Sequence, residues 1–149
     1  MSGPLQIARL TARDRVLSER WDAFVQAQPQ ATFFHLSGWL RVIEAVFGHR
    51  GHYLLAERDG LVEGVLPLVE VKSRLFGHSL ASLPFAVYGG VVASTPEAAA
   101  ALETEAERIA KARGVQHLEY RNLGGVRHED WQGQPAHAIR TGKARRRVP

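Results

Sequence analysis

Tyr88, Gly89 and Gly90 stand together at the end of the run Ser82-Leu-Pro-Phe-Ala-Val-Tyr-Gly-Gly, and their types suit the wall of a cleft. Paired glycines persist where the backbone needs positive φ or where another group must come close to it. Tyr88 beside them offers a flat apolar face with a polar tip, and Phe85 adds a second ring. His35 and Trp39, from the earlier run Ala31-Thr-Phe-Phe-His-Leu-Ser-Gly-Trp39, are the other residues expected to line such a cleft. Each has a plainer reading. The glycines suit a tight bend at a strand end, His35 suits a core histidine with a satisfied nitrogen, and Trp39 at helical spacing suits core. Tyr88 is the residue expected to touch a ligand.

Other chemistry-bearing residues are scattered, and no catalytic residue can be named from them. His49-Arg-Gly-His52 has two histidines, but Gly48 and Gly51 break the one-turn geometry that would aim both rings at one ion. A surface turn is the expectation there, and no metal site is expected. Glu119 and Arg121 fall on one face of a strand, with Tyr120 on the other, as an ion pair supporting a sheet would. The chain has no cysteine, which excludes disulfides, thiolate catalysis and thiolate zinc sites.

The composition is that of one globular domain, with 149 residues, 45% hydrophobic and 23% charged. The net charge of +4 is concentrated at one end. Arg140, Lys143, Arg145, Arg146 and Arg147 lie in the last ten residues without an acid; the rest holds 14 basic and 15 acidic residues and is nearly neutral. Such a tail can bind phosphates without sequence specificity. No apolar run approaches the roughly 20 residues that cross a bilayer, and the start of the chain lacks a secretory pattern. A cytoplasmic location is the expectation.

The elements that must position these residues can be read in order. Leu5 to Leu10 reads as a strand. Thr11 reads as the N-cap of a helix carrying Val16, Leu17, Trp21, Phe24 and Val25 and stopped at Pro29. A second helix is expected from Ser37 to Gly48, apolar around more than one face and so well buried. His52 to Arg58 and Leu61 to Lys72 read as a hairpin turned at Asp59-Gly60, with Gly64 and Pro67 marking a bulge or an edge. A further strand is expected between Ser73 and Ala81, after a bend at Gly77. Thr95 then caps a helix with Pro96 at its first position and Gly114 at its stop, and Val115 to Arg121 closes the pattern as a strand. The order predicts an α/β (α+β) domain over residues 1–123, a mixed sheet flanked by helices. Residues 124–149 are expected to form an irregular, disordered basic tail.

This order resembles the GNAT-like acyl-CoA N-acyltransferase fold. Particular residues resemble one branch of it, the FemAB-like peptidoglycan aminoacyl transferases and especially their relatives associated with exosortase and PEP-CTERM systems. These residues are Trp21 and Phe24, Thr32-Phe-Phe-His35 with Ser37-Gly-Trp39, the Asp59-Gly60 turn, Leu83-Pro-Phe85 with Tyr88-Gly-Gly90, and Leu118-Glu-Tyr-Arg121. The resemblance covers roughly residues 5–123. It implies transfer of an aminoacyl or acyl group to a cell-wall precursor or glycan-linked acceptor in the cell envelope or in exopolysaccharide export. It implies aminoacyl-tRNA as donor and tRNA as partner. Family members carry two such domains, so the resemblance also implies a truncated or half-length chain, not competent alone, whose cleft is completed by self-association or a second half.

Acetyl-CoA-dependent relatives seat pyrophosphate on a glycine-rich turn at a helix N-terminus. Here the turn is Ala93-Ser-Thr-Pro-Glu97, without glycine or base and with an acid in the first turn, so no CoA cofactor is expected. Two alternatives remain open at this point: a single-domain acyl-CoA N-acyltransferase, and a non-enzymatic remnant whose basic tail binds nucleic acid.

Overall fold

Two left-handed residues, Asp59 at φ 51° and Gly60 at φ 79°, turn the chain between its two longest strands, β2 (Arg50–Arg58) and β3 (Leu61–Ser73). Positive φ at both central positions matches the twist of a two-residue hairpin, which is why Asp-Gly serves there. The computed structural model describes residues 3–73, 77–82, 90–115, 117–121 and 143–147. Around the hairpin the other strands are β1 (Gln6–Leu10), β4 (Gly77–Ser82), β5 (Val92–Ala93), β6 (His117–Arg121) and β7 (Lys143–Arg147). They join one sheet in the order β1-β2-β3-β4-β6-β7, with β5 also on β3. The β4–β6 pair is parallel and the other pairs are antiparallel. The fold is thus mixed α+β, with helices α1 (Arg15–Ala27), α2 (Gly38–Ala45) and α3 (Pro96–Arg113).

The helices divide between the two faces of the sheet, following the two-residue period of the strands. Tyr53, Leu55, Val65 and Val69 pack with Trp21, Phe24 and Val25 of α1 and Leu40 and Ile43 of α2. Leu54, Ala56, Leu66, Leu68, Leu80 and Leu118 pack instead with Ala98, Leu102, Ala106, Ile109 and Ala110 of α3. Trp21 and Tyr53 stack with ring centroids 5.2 Å apart in the first of these cores.

Several boundaries differ from expectation. The α1 cap is Asp14, whose carboxylate accepts from the Leu17 N–H at 3.0 Å, while Thr11 opens the preceding turn through its carbonyl. An ionised carboxylate is the stronger acceptor at a helix N-terminus. Helix α2 is shorter and less buried than its composition suggests: only Leu40 and Ile43 are buried, and Val46 (72% exposed) and Phe47 (46%) overhang. Gly48, at φ 66°, turns the chain out of the helix as His49 N–H donates to the Ile43 carbonyl. The basic segment at 143–147, expected to be irregular, forms a strand against β6. Ladder pairing uses backbone groups, so it leaves no apolar period to read, and charged side chains are common on edge strands.

Gly64 and Pro67 mark a bulge within a central strand. Ala56 pairs with Gly64 and Glu57 with Val62, leaving Glu63 as the extra residue. The same edge of β3 is shared by β5, opposite Gly64 and Val65, and β4, opposite Leu68 to Ser73. The chain therefore leaves β3 after Ser82 and rejoins it at Val92 along the same line. Pro67, which has no N–H to donate, falls in the gap.

Candidate functional site

The connector between α1 and α2 is where a sequence-expected cleft residue meets the returning end of the β4–β5 excursion. Thr32 begins a short 3₁₀ turn, Phe33–His35, and His35 is buried at 2% exposure. The Thr32 N–H donates to His35 Nδ1 at 3.0 Å, so the ring proton sits on Nε2, which donates to the Gly90 carbonyl at 2.9 Å. Burial lowers the His35 pKa, opposed by its contacts with Gly90 and Thr32. The ring is a neutral bridge between two backbone segments 55 residues apart.

A second tether runs beside the first. Gln30 Nε2 donates to the Ala93 carbonyl at 3.3 Å, so the connector is fastened at both Gly90 and Ala93. The connector is itself held to the helices. Trp21 Nε1 donates to the His35 carbonyl, and Asp22 accepts from Ser37 N–H at 2.7 Å and from Ser37 Oγ at 2.8 Å.

Trp39 is half-buried and belongs to an aromatic cluster on the outer side of this connector. Its ring centroid lies 5.8 Å from Phe33 and 5.6 Å from Phe34, and Phe33 is 68% exposed. The structure therefore joins His35 to Gly90, while Trp39, in the first turn of α2, packs on Phe33 and Phe34 of the same connector. His35 has both nitrogens engaged, Nδ1 with Thr32 and Nε2 with the Gly90 carbonyl, and Trp39 offers part of its ring to the surface. Phe85, Tyr88 and Gly89, the other expected site residues, lie outside the described residues.

The N-terminus of α3 is occupied by side chains of the protein itself. Thr95 Oγ1 accepts from the Ala98 N–H at 3.1 Å and donates to Glu63 Oε1 at 3.1 Å. Glu97 in the first turn accepts from Arg58 at 2.7 Å, and Ser94 N–H donates to the Glu63 carbonyl at 2.8 Å. Glu63 and Glu97 thus converge there on Arg58, which pairs with both, where a phosphate would need free amides and cations.

The His49–His52 segment corrects one expectation. His52 is not on a surface turn but buried at 2% exposure in β2, with Nε2 bonded to Glu70 Oε1 at 3.0 Å. His52 follows Gly51 into a strand rather than ending a turn, and strand alternation carries it to the α3 face. Among the described residues no group of three or more His, Asp and Glu side chains is placed to hold a metal ion. No described helix is long and apolar enough to cross a membrane.

Comparisons with known proteins add one structural likeness. No protein-family profile and no curated protein matches the chain. A crystal structure of FemX is similar over 76% of this chain, with a TM-score of 0.56 and 25% sequence identity. The aligned part is 26% of the FemX chain, so this chain spans about a quarter of that protein. About three quarters of this chain is thus similar in fold to a portion of FemX.

Proposed function

We propose that this chain is a FemAB-like transferase-related domain that contributes one wall of an acceptor-substrate cleft. The likeness to FemX carries this reading. The residues assigned to this wall are Phe85, Tyr88, Gly89 and Gly90, together with Trp39 and His35. His35 acts by holding the Gly90 end in place, which suits a rigid support for a cleft lining. The acceptor is a cell-wall precursor or glycan-linked substrate, and a second transferase half, or a second copy, completes the cleft.

The donor in this reading is aminoacyl-tRNA, with the basic C-terminal residues contributing non-specific attraction to its phosphates. The start of α3 supports this choice over acyl-CoA, because Thr95 caps it and its nearby cation, Arg58, is already shared by Glu63 and Glu97, leaving net negative charge toward a pyrophosphate. The test is thermal stability of wild type and Tyr88→Ala with CoA, acetyl-CoA, an aminoacyl-tRNA analogue and a soluble muropeptide precursor. Ligand that binds the native state raises its melting temperature by mass action. Stabilisation by the muropeptide that disappears in Tyr88→Ala is the expected result. Stabilisation by acetyl-CoA alone would replace the proposal with a single-domain acyl-CoA transferase.

A further inference from the structure

At the end of the sheet beneath the last turn of α3, one buried carboxylate gathers three basic side chains from three elements. Glu70 of β3 is 4% exposed. Arg113, the final residue of α3, grips it with two hydrogen bonds, Nε to Oε1 at 2.8 Å and Nη2 to Oε2 at 3.1 Å. His52 of β2 bonds Oε1 at 3.0 Å, and His78 of β4 bonds Oε2 at 2.8 Å. Nothing in the proposed acyl-transfer chemistry uses this cluster.

We propose that His52, Glu70, His78 and Arg113 form an acid-released clasp that fastens the C-terminal end of α3 to strands β2, β3 and β4. The charge count explains the release. Glu70 supplies one negative charge, and Arg113 already balances it through both oxygens. Burial pushes the Glu70 carboxyl up, but the bonds from Arg113, His52 and His78 outweigh burial and hold it at about 2. The carboxylate therefore stays ionised throughout the range in which histidines titrate. A proton taken up by His52 adds a surplus buried cation.

His52 is the sensitive member. Its Nε2 is committed to Glu70, and its buried Nδ1 has no partner among the described residues. Protonation would create a buried N–H with no acceptor, which is costly. The surroundings are mostly cationic: Arg9 of β1 and Arg50 of β2 oppose a charge on His52, and Lys72 stands opposite His78. Lys111 shares the last turn of α3 with Arg113; Glu107 and Glu103 are acids about one and two turns before it, and His117 of β6 holds the register position beside Ser79. Burial is the main reason the His52 pKa is lowered, with Glu70 opposing it. Once the clasp opens, the last turn of α3 keeps its apolar contacts but loses its polar tie to the sheet, next to the Gly114–Val115 link into β6.

Amide hydrogen exchange on the full chain at about pH 7.5 and pH 5, corrected for intrinsic rates, tests this directly. Peptides covering residues 108–115 should exchange about tenfold faster at the lower pH, while those covering 96–103 change little. In His52→Gln, whose amide can still donate to Glu70 without titrating, the acid-induced acceleration should vanish. Equal acceleration along all of α3, no acceleration at 108–115, or full acceleration persisting in His52→Gln would each overturn the clasp. Should His52→Gln fail to fold, the wild-type comparison between the two ends of α3 decides alone.

Discussion

His35 shows how one side chain can be structural in its contacts and functional in its consequence. It is neutral, donates to the Gly90 carbonyl and accepts from Thr32 N–H. Its pKa is lowered by burial, so the unfolded chain binds a proton near pH 6.5 that the folded chain refuses. The resulting contribution to stability is complete above about pH 6.5 and declines as pH falls below it; His52 adds a contribution of the same sign. Melting temperature measured from pH 8 to pH 5 should therefore fall on the acid side, and the fall should be shallower in His35→Asn. That substitution keeps an acceptor for Thr32 but drops the bond to Gly90, and should cost about 1–3 kcal/mol at neutral pH. Identical slopes in wild type and variant would show that His35 does not titrate on unfolding. Type and spacing made His35 a candidate in the sequence, but its partner 55 residues away was not legible. The same limit hid the bond between Glu70 and Arg113, 43 residues apart, because ion pairs across a fold leave no local pattern.

At the scale of elements, local signals translated well and long-range ones poorly. Helix α3 follows its capping residues closely: Thr95 caps it, Pro96 opens it and Gly114 ends it at φ 67°. Thr95→Ala should cost about 1 kcal/mol, measured by chemical denaturation, because the Ala98 N–H loses its acceptor. An unchanged midpoint would contradict the capping role. The hairpin at Asp59-Gly60 was equally plain. Gly64 was legible as a special position, but its reason comes from packing. A Cβ there would lie 2.8 Å from Leu102 Cδ1 and 3.2 Å from the Ala93 Cβ, so Gly64→Ala should destabilise by about 1–3 kcal/mol. A neutral Gly64→Ala would mean that α3 can shift outward at no cost. Pro67 suggested an edge because proline is rare in central strands, yet β3 is central. The gap between its two partners on one side, β4 and β5, accommodates the missing donor. Strand β7 was unreadable for a related reason, since four cations in five residues give no apolar period.

At the scale of the whole molecule, charge and fold point to separable properties. The last ten residues account for the positive balance, and without them the chain carries one more acid than base. Replacing Arg140, Lys143, Arg145, Arg146 and Arg147 by Gln, which keeps the backbone ladder of β7, should abolish retention on a polyanion matrix and flatten the salt dependence of any RNA binding. Retention that survives these replacements would place the basic surface elsewhere. The likeness to FemX extends over 76% of the chain. The central claim is that Tyr88, Gly89 and Gly90, the last held by His35, receive an acceptor substrate together with Trp39. The most direct test is amide and indole chemical-shift mapping of the ¹⁵N-labelled protein titrated with a soluble muropeptide precursor. The account predicts saturable shifts at Tyr88, Gly89, Gly90 and the Trp39 indole, with the Gly64 and Gly114 amides unmoved. A titration that leaves those resonances in place, or moves only residues on the α3 face, would contradict it.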